Sequence, residues 1–545
     1  MALAMVFVPL APATASASLL GLPTSRVIVT GPGIAGATGL VNGLGGQVVN
    51  ALPLINGIVA DVPSLFLGAL GAVPGVQVTP NVGVSVAEAA PGGPGRPPAA
   101  VFPAATGASQ LAAAGNTGQG VRVAVLDTGV ANLPDFAGRL VDGVDLSGEN
   151  NPFRDSYGHG TFVAGLIAGN GASSGGQYAG EAPGADLISV KVAGSSGKTD
   201  LATVILGVGW VVEHQSSDRI AVLNMSLGAA PFASTVLNPL DMAVEAAWHS
   251  GVAVVASAGN AGPFNGTVLS PGDDPLVITV GALDDHGTAN VADDTMGDFS
   301  SVGPTTPDGW FKPDLVASGR SVVSLRVPGS TLDRTYPTAR IGAANFVGSG
   351  TSFSAAVTSG AAALASQDGT VVRQPDALKA KLLGGSTDGP VGNPFVDGHG
   401  SLNAYWATQA QGVSIHQTTP LLPQAAALLG LPVSLATSWN GSAWNGSAWN
   451  GSAWNGSAWN GSAWNGSAWN GSAWNGSAWN GSAWNGSAWN GSAWNGSAWN
   501  GSAWNGSAWN GSAWNGSAWN GSAWNGSAWN GSAWNGSAWN GSAWN

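Results

Sequence analysis

Three side chains in this sequence have the types and the chain order of an activated nucleophile. Ser352 heads an alanine-rich run, SFSAAVTSGAAALA, from Ser352 to Ala365. The run reads as a helix of small residues able to pack closely in a core. A serine in the first turn of such a helix lies among unpaired backbone N–H groups and a partial positive charge, which stabilise a developing anion. Gly350 lets another backbone approach. A serine hydroxyl is barely acidic at neutral pH and needs a base within hydrogen-bond reach. His159, in DSYGHGTFVAG, is of the type that serves. Asp127, in Asp127-Thr128-Gly129, would fix the tautomer of the imidazole and stabilise its cation. Each has a plainer reading: Ser352 as a helix N-cap, His159 as a helix-start residue, Asp127-Thr-Gly as half of an aspartic dyad. The dyad needs a second such carboxylate, and no second DTG or DSG occurs.

These residues sit where an α/β domain puts its chemistry. Val121–Leu126, VRVAVL, is a nearly continuous apolar run, as in a parallel strand buried on both faces. Similar runs recur at Asp186–Val192, Ile220–Met225, Val252–Ser257 and Leu276–Val280, with helical patterns at Thr161–Ala168, Leu201–His214 and Leu240–Ser250. The alternation predicts a mainly parallel sheet flanked by helices, with active groups beyond the carboxyl ends of the strands. Asp127 follows the first run, Ser226-Leu227-Gly228 the third and Asn260 the fourth.

The segments VAVLDTGV, GHGTFVAG and GTSFSAAV resemble, in order, the three signatures of the subtilisin-like serine proteases. NMSLG, Asn224 to Gly228, resembles the family's substrate-lining strand. ASAGN, Ala256 to Asn260, resembles its oxyanion-hole loop, and KPDLVASG, Lys312 to Gly319, the segment ahead of the serine. The resemblance runs from about Gln110 to Trp406. It implies a peptide hydrolase with Asp127, His159 and Ser352 as triad, Asn260 as oxyanion donor and Ser226, Leu227 and Gly228 as substrate-binding positions. It also implies protein or peptide substrates. Departures stand beside it. The family's Met-Ala after the serine is Phe353-Ser354, its Pro four residues on is Ala356, and the second His of its histidine segment is Phe162. The loop Asn170–Gln177 lacks carboxylates, so a calcium site common in the family has no support there. No cofactor is expected, and a metal site is left open.

Ahead of this unit, residues 26–86 predict β-α-β-β-α-β, a small α+β module of the ferredoxin-like kind. In order and position it resembles the family's inhibitor-type propeptide, which would assist folding, cover the active site and be cut off in the linker. The chain divides into a signal peptide (1–17), this module (26–86), a Pro/Gly linker (87–109), the α/β domain (110–406), a connector (407–438) and a repeat (439–545). The first residues, MALAMVFVPLAPATASAS, end in the A-x-A pattern of a secretory signal but lack a basic start. A secreted protein, in one form retained at the cell surface, is the expectation.

GSAWN repeats from Gly441 to Asn545 and carries 21 of the 26 Trp without a charge. Stackable apolar faces suit adhesion to a cell wall, a polymer or another copy. The alternative to a zymogen is therefore a surface or matrix protein whose repeat is the working part and whose protease domain is vestigial. The net charge of −13 lies between Val101 and the repeat, which argues against nucleic-acid partners. There is no Cys, hence no disulfide and no thiolate chemistry.

Overall fold

The computed structural model describes residues 22–86, 100–231 and 233–410. The signal segment, most of the linker, the connector from 411 on and the repeat lie outside the described residues.

The first elements are β1 (Thr24–Thr30), α1 (Gly33–Gly43), β2 (Gln47–Leu52), β3 (Gly57–Pro63), α2 (Leu67–Gly71) and β4 (Gln77–Pro80). They form a four-stranded antiparallel sheet in the order β2-β3-β1-β4. Strand alternation gives this sheet two apolar faces. Val27, Val29, Ile58 and Ala60 face the module's own helices, while Ile28, Val59, Leu52 and Ile55 join the core of the large body. The run 76–86, expected as one closing strand, is two. After β4 the chain leaves the sheet and forms β5 (Gly83–Val86) elsewhere.

The large body begins earlier than the expected residue 110. Helices α3 (Phe102–Ala105) and α4 (Ala108–Ala113) pack onto it, with Phe102 fully buried and Thr106 O accepting from Tyr405 N. The last ten residues of the expected linker thus belong to the body, because Phe102, Ala108 and Leu111 bury an apolar face. There follow β6 (Arg122–Asp127), β7 (Leu140–Asp145), α5 (His159–Ala168), β8 (Asp186–Lys191), β9 (Lys198–Asp200), α6 (Leu201–His214), β10 (Ile220–Met225), β11 (Leu227–Gly228), α7 (Pro239–His249), β12 (Ala253–Ser257), β13 (Ile278–Asp284), β14 (Thr295–Met296), β15 (Leu315–Ser318), β16 (Val322–Leu325), α8 (Thr331–Thr335), β17 (Arg340–Ile341), β18 (Asn345–Gly348), α9 (Thr351–Ser366), α10 (Pro375–Gly384) and α11 (Ala404–Gln409).

The main sheet runs β14-β13-β12-β10-β6-β8-β7, with β15 also on β13. Every pairing is parallel except β13 with β14. Its middle strands are buried along their whole length, as their unbroken apolar runs require. Helix α9 is buried at all sixteen residues and packs on β10, β12, β13 and α5. Only small side chains allow that approach: a Cβ at Gly360 would stand 2.5 Å from Glu181 Cβ.

Candidate active site

Asp127 ends β6 and His159 opens α5, and the fold brings them into contact. His159 Nδ1 lies 2.8 and 2.9 Å from the two carboxylate oxygens of Asp127, with both residues fully buried. The glycines around them are required by space. A Cβ at Gly160 would stand 2.3 Å from Gly129 O, and Gly158, at φ +105°, faces Ser330 Oγ at 2.5 Å from its missing Cβ. A side chain at Gly160 would push α5 off the end of β6, and one at Gly158 would strain the turn and meet the start of α8. Nε2 of His159 is buried and has no hydrogen-bond partner among the described residues.

A polar network ties the two residues' backbones together. Thr128 Oγ1 donates to Asp155 Oδ1 (2.8 Å) and accepts from Gly160 N (2.9 Å). Asp155 also accepts from the N–H groups of Gly158 (2.7 Å) and Thr161 (2.8 Å). Burial pushes the Asp155 carboxyl above the usual carboxylate range, opposed by these donors. Lys191, at the end of β8, donates to Thr128 O (2.6 Å) and Arg154 O (2.8 Å) and pairs with Glu149 at 3.3 Å.

Ser352 is the second residue of α9, where backbone N–H groups have no acceptor within the helix. Its hydroxyl donates to Ser226 O at 3.1 Å, so no hydrogen bond joins it to His159 in this state. Asn260 follows β12. Its Oδ1 accepts from Thr351 N and Thr351 Oγ1, both at 2.9 Å, which orients the amide. Nδ2 is buried with no partner among the described residues, beside Gly350, whose Cβ would lie 3.3 Å away. An unpartnered buried donor costs free energy, and here it faces the loop that leads into Ser352.

The three expected substrate positions divide. Leu227 and Gly228 pair through their backbones with Val86 and Ser85 of β5, which in turn pairs with β9. Ser226 differs. Its hydroxyl donates to Ser352 O (2.8 Å) and accepts from Asn224 Nδ2 (3.0 Å), so its side chain holds α9 while its carbonyl faces the Ser352 hydroxyl.

Residues 118–400 match the Subtilase family over more than half of the chain. The chain belongs to the subtilase family. It is 41% identical over 293 residues to serine protease AprX of Bacillus subtilis, a match spanning 53% of this chain and 66% of that one, just under two thirds. It is 31% identical over 306 residues to subtilisin E of the same species, spanning 55% of this chain and 69% of the relative. Fervidolysin from Fervidobacterium pennivorans, described as a keratinolytic enzyme related to subtilisin, superposes with a TM-score of 0.57 at 22% identity. That likeness covers 72% of this chain and 61% of the other and speaks for the fold alone.

In this subtilase two of the departures from the family pattern pack on each other. Phe353 and Phe162 lie with ring centroids 4.3 Å apart, and Phe353 is 5.6 Å from the His159 ring. Helix α9 starts at Thr351 with Ala356 in place of the family's Pro. Thr128, Asp155 and Lys191 were not singled out by residue type. Their signal is positional, since Thr128 and Asp155 flank Asp127 and the GHG turn, but their mutual contact is tertiary. Among the described residues no group of three or more His, Asp or Glu is arranged to hold a metal ion, and no helix is long and apolar enough to cross a membrane.

Proposed function

We propose that the protein is a secreted serine endopeptidase made as a zymogen. The observation that carries this is the buried Asp127–His159 pair, whose ring lies 5.6 Å from that of Phe353, the neighbour of Ser352, while Asn260 is bonded to Thr351 on the other side of that serine. The Ser352 hydroxyl turns from Ser226 O to Nε2, and its oxygen attacks the substrate carbonyl carbon as His159 takes the proton. Charge moves to the carbonyl oxygen, which receives hydrogen bonds from Asn260 Nδ2 and Ser352 N–H. His159 returns the proton to the leaving amine as the C–N bond breaks. Water then repeats the sequence on the acyl-enzyme. Asp127 keeps the imidazole in the tautomer that presents Nε2 as acceptor and stabilises its cation. Side-chain and backbone groups supply every step, and no cofactor is proposed.

The zymogen reading is supported by β5. It lies antiparallel between β11 and β9, and Val86 N donates to Gly197 O at 3.2 Å, as an extended peptide substrate would. Val86 stands opposite Leu227. The processing site then belongs in the linker that follows Val86, outside the described residues. The module 26–86 is then both cover and first substrate. The repeat, outside the described residues, is proposed as an adhesive segment for cell wall, polymer or itself.

The test is labelling by a fluorophosphonate probe. The purified protein is expected to be labelled at Ser352 and to yield a processed form that has lost the module and begins within the linker, while Ser352→Ala is unlabelled and keeps its module. A folded wild-type protein that takes no label would instead favour the vestigial domain with a working repeat.

A further inference from the structure

Two glycines close to the catalytic candidates face the same leucine side chain. Gly228 belongs to β11, the edge that pairs with β5, and Gly259 precedes Asn260. β11 and the loop before Asn260 thus form two walls on either side of Leu269. Neither wall carries a side chain at that point, which by itself would leave room for a large residue.

The floor removes that room. Leu269 N donates to Ala258 O (2.9 Å), and Ser270 and Ala229 exchange both backbone hydrogen bonds at 3.0 Å, so Leu269-Ser270 bridges the two walls. The half-buried Leu269 side chain rises between the glycines. A Cβ at Gly228 would stand 3.0 Å from Leu269 Cβ, and one at Gly259 would stand 2.8 Å from Leu269 Cγ. The floor is also held from below. Ser270 Oγ donates to Asp241 Oδ1 (2.7 Å) and accepts from Asn238 Nδ2 (2.9 Å), with all three residues buried.

We infer that the substrate side chain on the acyl side of the cut bond, lying along β11 as β5 does, enters between Gly228 and Gly259 and meets Leu269 there, so that this enzyme cleaves after small residues of the size of alanine. The inference rests on the peptidase reading and adds a substrate class to it. Pushing a large side chain onto a close-packed floor costs the displacement of neighbours anchored by buried hydrogen bonds.

The experiment compares succinyl tetrapeptide p-nitroanilides ending in Ala, Leu or Phe, on wild-type protein and on Leu269→Gly and Leu269→Val. The expected kcat/KM for the Ala substrate exceeds that for Phe by at least about tenfold, the discrimination a filled apolar pocket gives. Leu269→Gly is expected to shift the Phe-to-Ala ratio by at least about tenfold toward Phe, with Leu269→Val between. A wild-type enzyme that cleaves the Phe substrate as well as the Ala one overturns the inference without any variant. A ratio unchanged in a Leu269→Gly protein that still takes the fluorophosphonate label overturns it too. Wild-type protein that cleaves none of the three and takes no label defeats the peptidase reading itself, and this inference with it.

Discussion

The two halves of the candidate site are built on opposite principles. Around Asp127 and His159 nearly every polar atom is engaged: Nδ1 with the carboxylate, Thr128 with Asp155 and Gly160, Lys191 with Thr128 O. Around Ser352 and Asn260 the useful donors are loose. The serine hydroxyl rests on Ser226 O, and Asn260 Nδ2 has no partner among the described residues. The difference follows from what each half must do. A base works only if its ring is held before substrate arrives, whereas a nucleophile and an oxyanion donor must keep bonding capacity free for groups that appear during the reaction. The cost of the loose half is borne by the tight one and by the close packing of α9.

Substitutions should break this contrast in graded steps. Ser352→Ala removes the nucleophile. Peptidase turnover is expected to fall on the order of 10⁶-fold, a magnitude known for the relative subtilisin, and processing should stop. Autoprocessing of that variant in a protease-free host would contradict the assignment. Asp127→Asn leaves the packing in place but lets the imidazole adopt the wrong tautomer. A loss of roughly 10⁴-fold in kcat is expected, against an unchanged far-UV spectrum, and a loss under tenfold would remove Asp127 from the mechanism.

Asn260→Ala addresses the loose half. Kcat should drop about 10²–10³-fold with KM little changed, again a magnitude from subtilisin. A change confined to KM would make Asn260 a ground-state contact. The smallest effect is expected on stability. Thr128→Val, in the Ser352→Ala background to prevent self-digestion, strips the donor from buried Asp155 and the acceptor from Gly160 N. Denaturant unfolding should show a loss of about 1–3 kcal/mol. An unchanged midpoint would mean that the network around the base is not holding it.

Much of this was legible in the residues because the site is local in pieces. DTG and GHG each carry, within two residues of the one that acts, a glycine whose positive φ the turn needs, and the apolar runs place these motifs at strand ends. Residue chemistry and chain order thus pointed to Asp127, His159 and Ser352, the family resemblance to Asn260, and the uninterrupted Val- and Ala-rich strands to a parallel sheet. What the residues left open depends on partners distant in the chain. That β5 leaves its sheet to pair with β11 and β9 is a choice among edges, set by which unpaired backbone the folded body presents. That Ser226 acts through its carbonyl while its hydroxyl ties down α9, that Thr351 orients the Asn260 amide, and that Phe162 meets Phe353 all require α9 to be seated against β10 and α5 first. Leu269 shows the division most plainly. A leucine in a loop has no functional signature by type, and it becomes the floor of a cleft only because backbone hydrogen bonds bridge it to Ala258 and, through Ser270, to Ala229, walls that the chain builds separately.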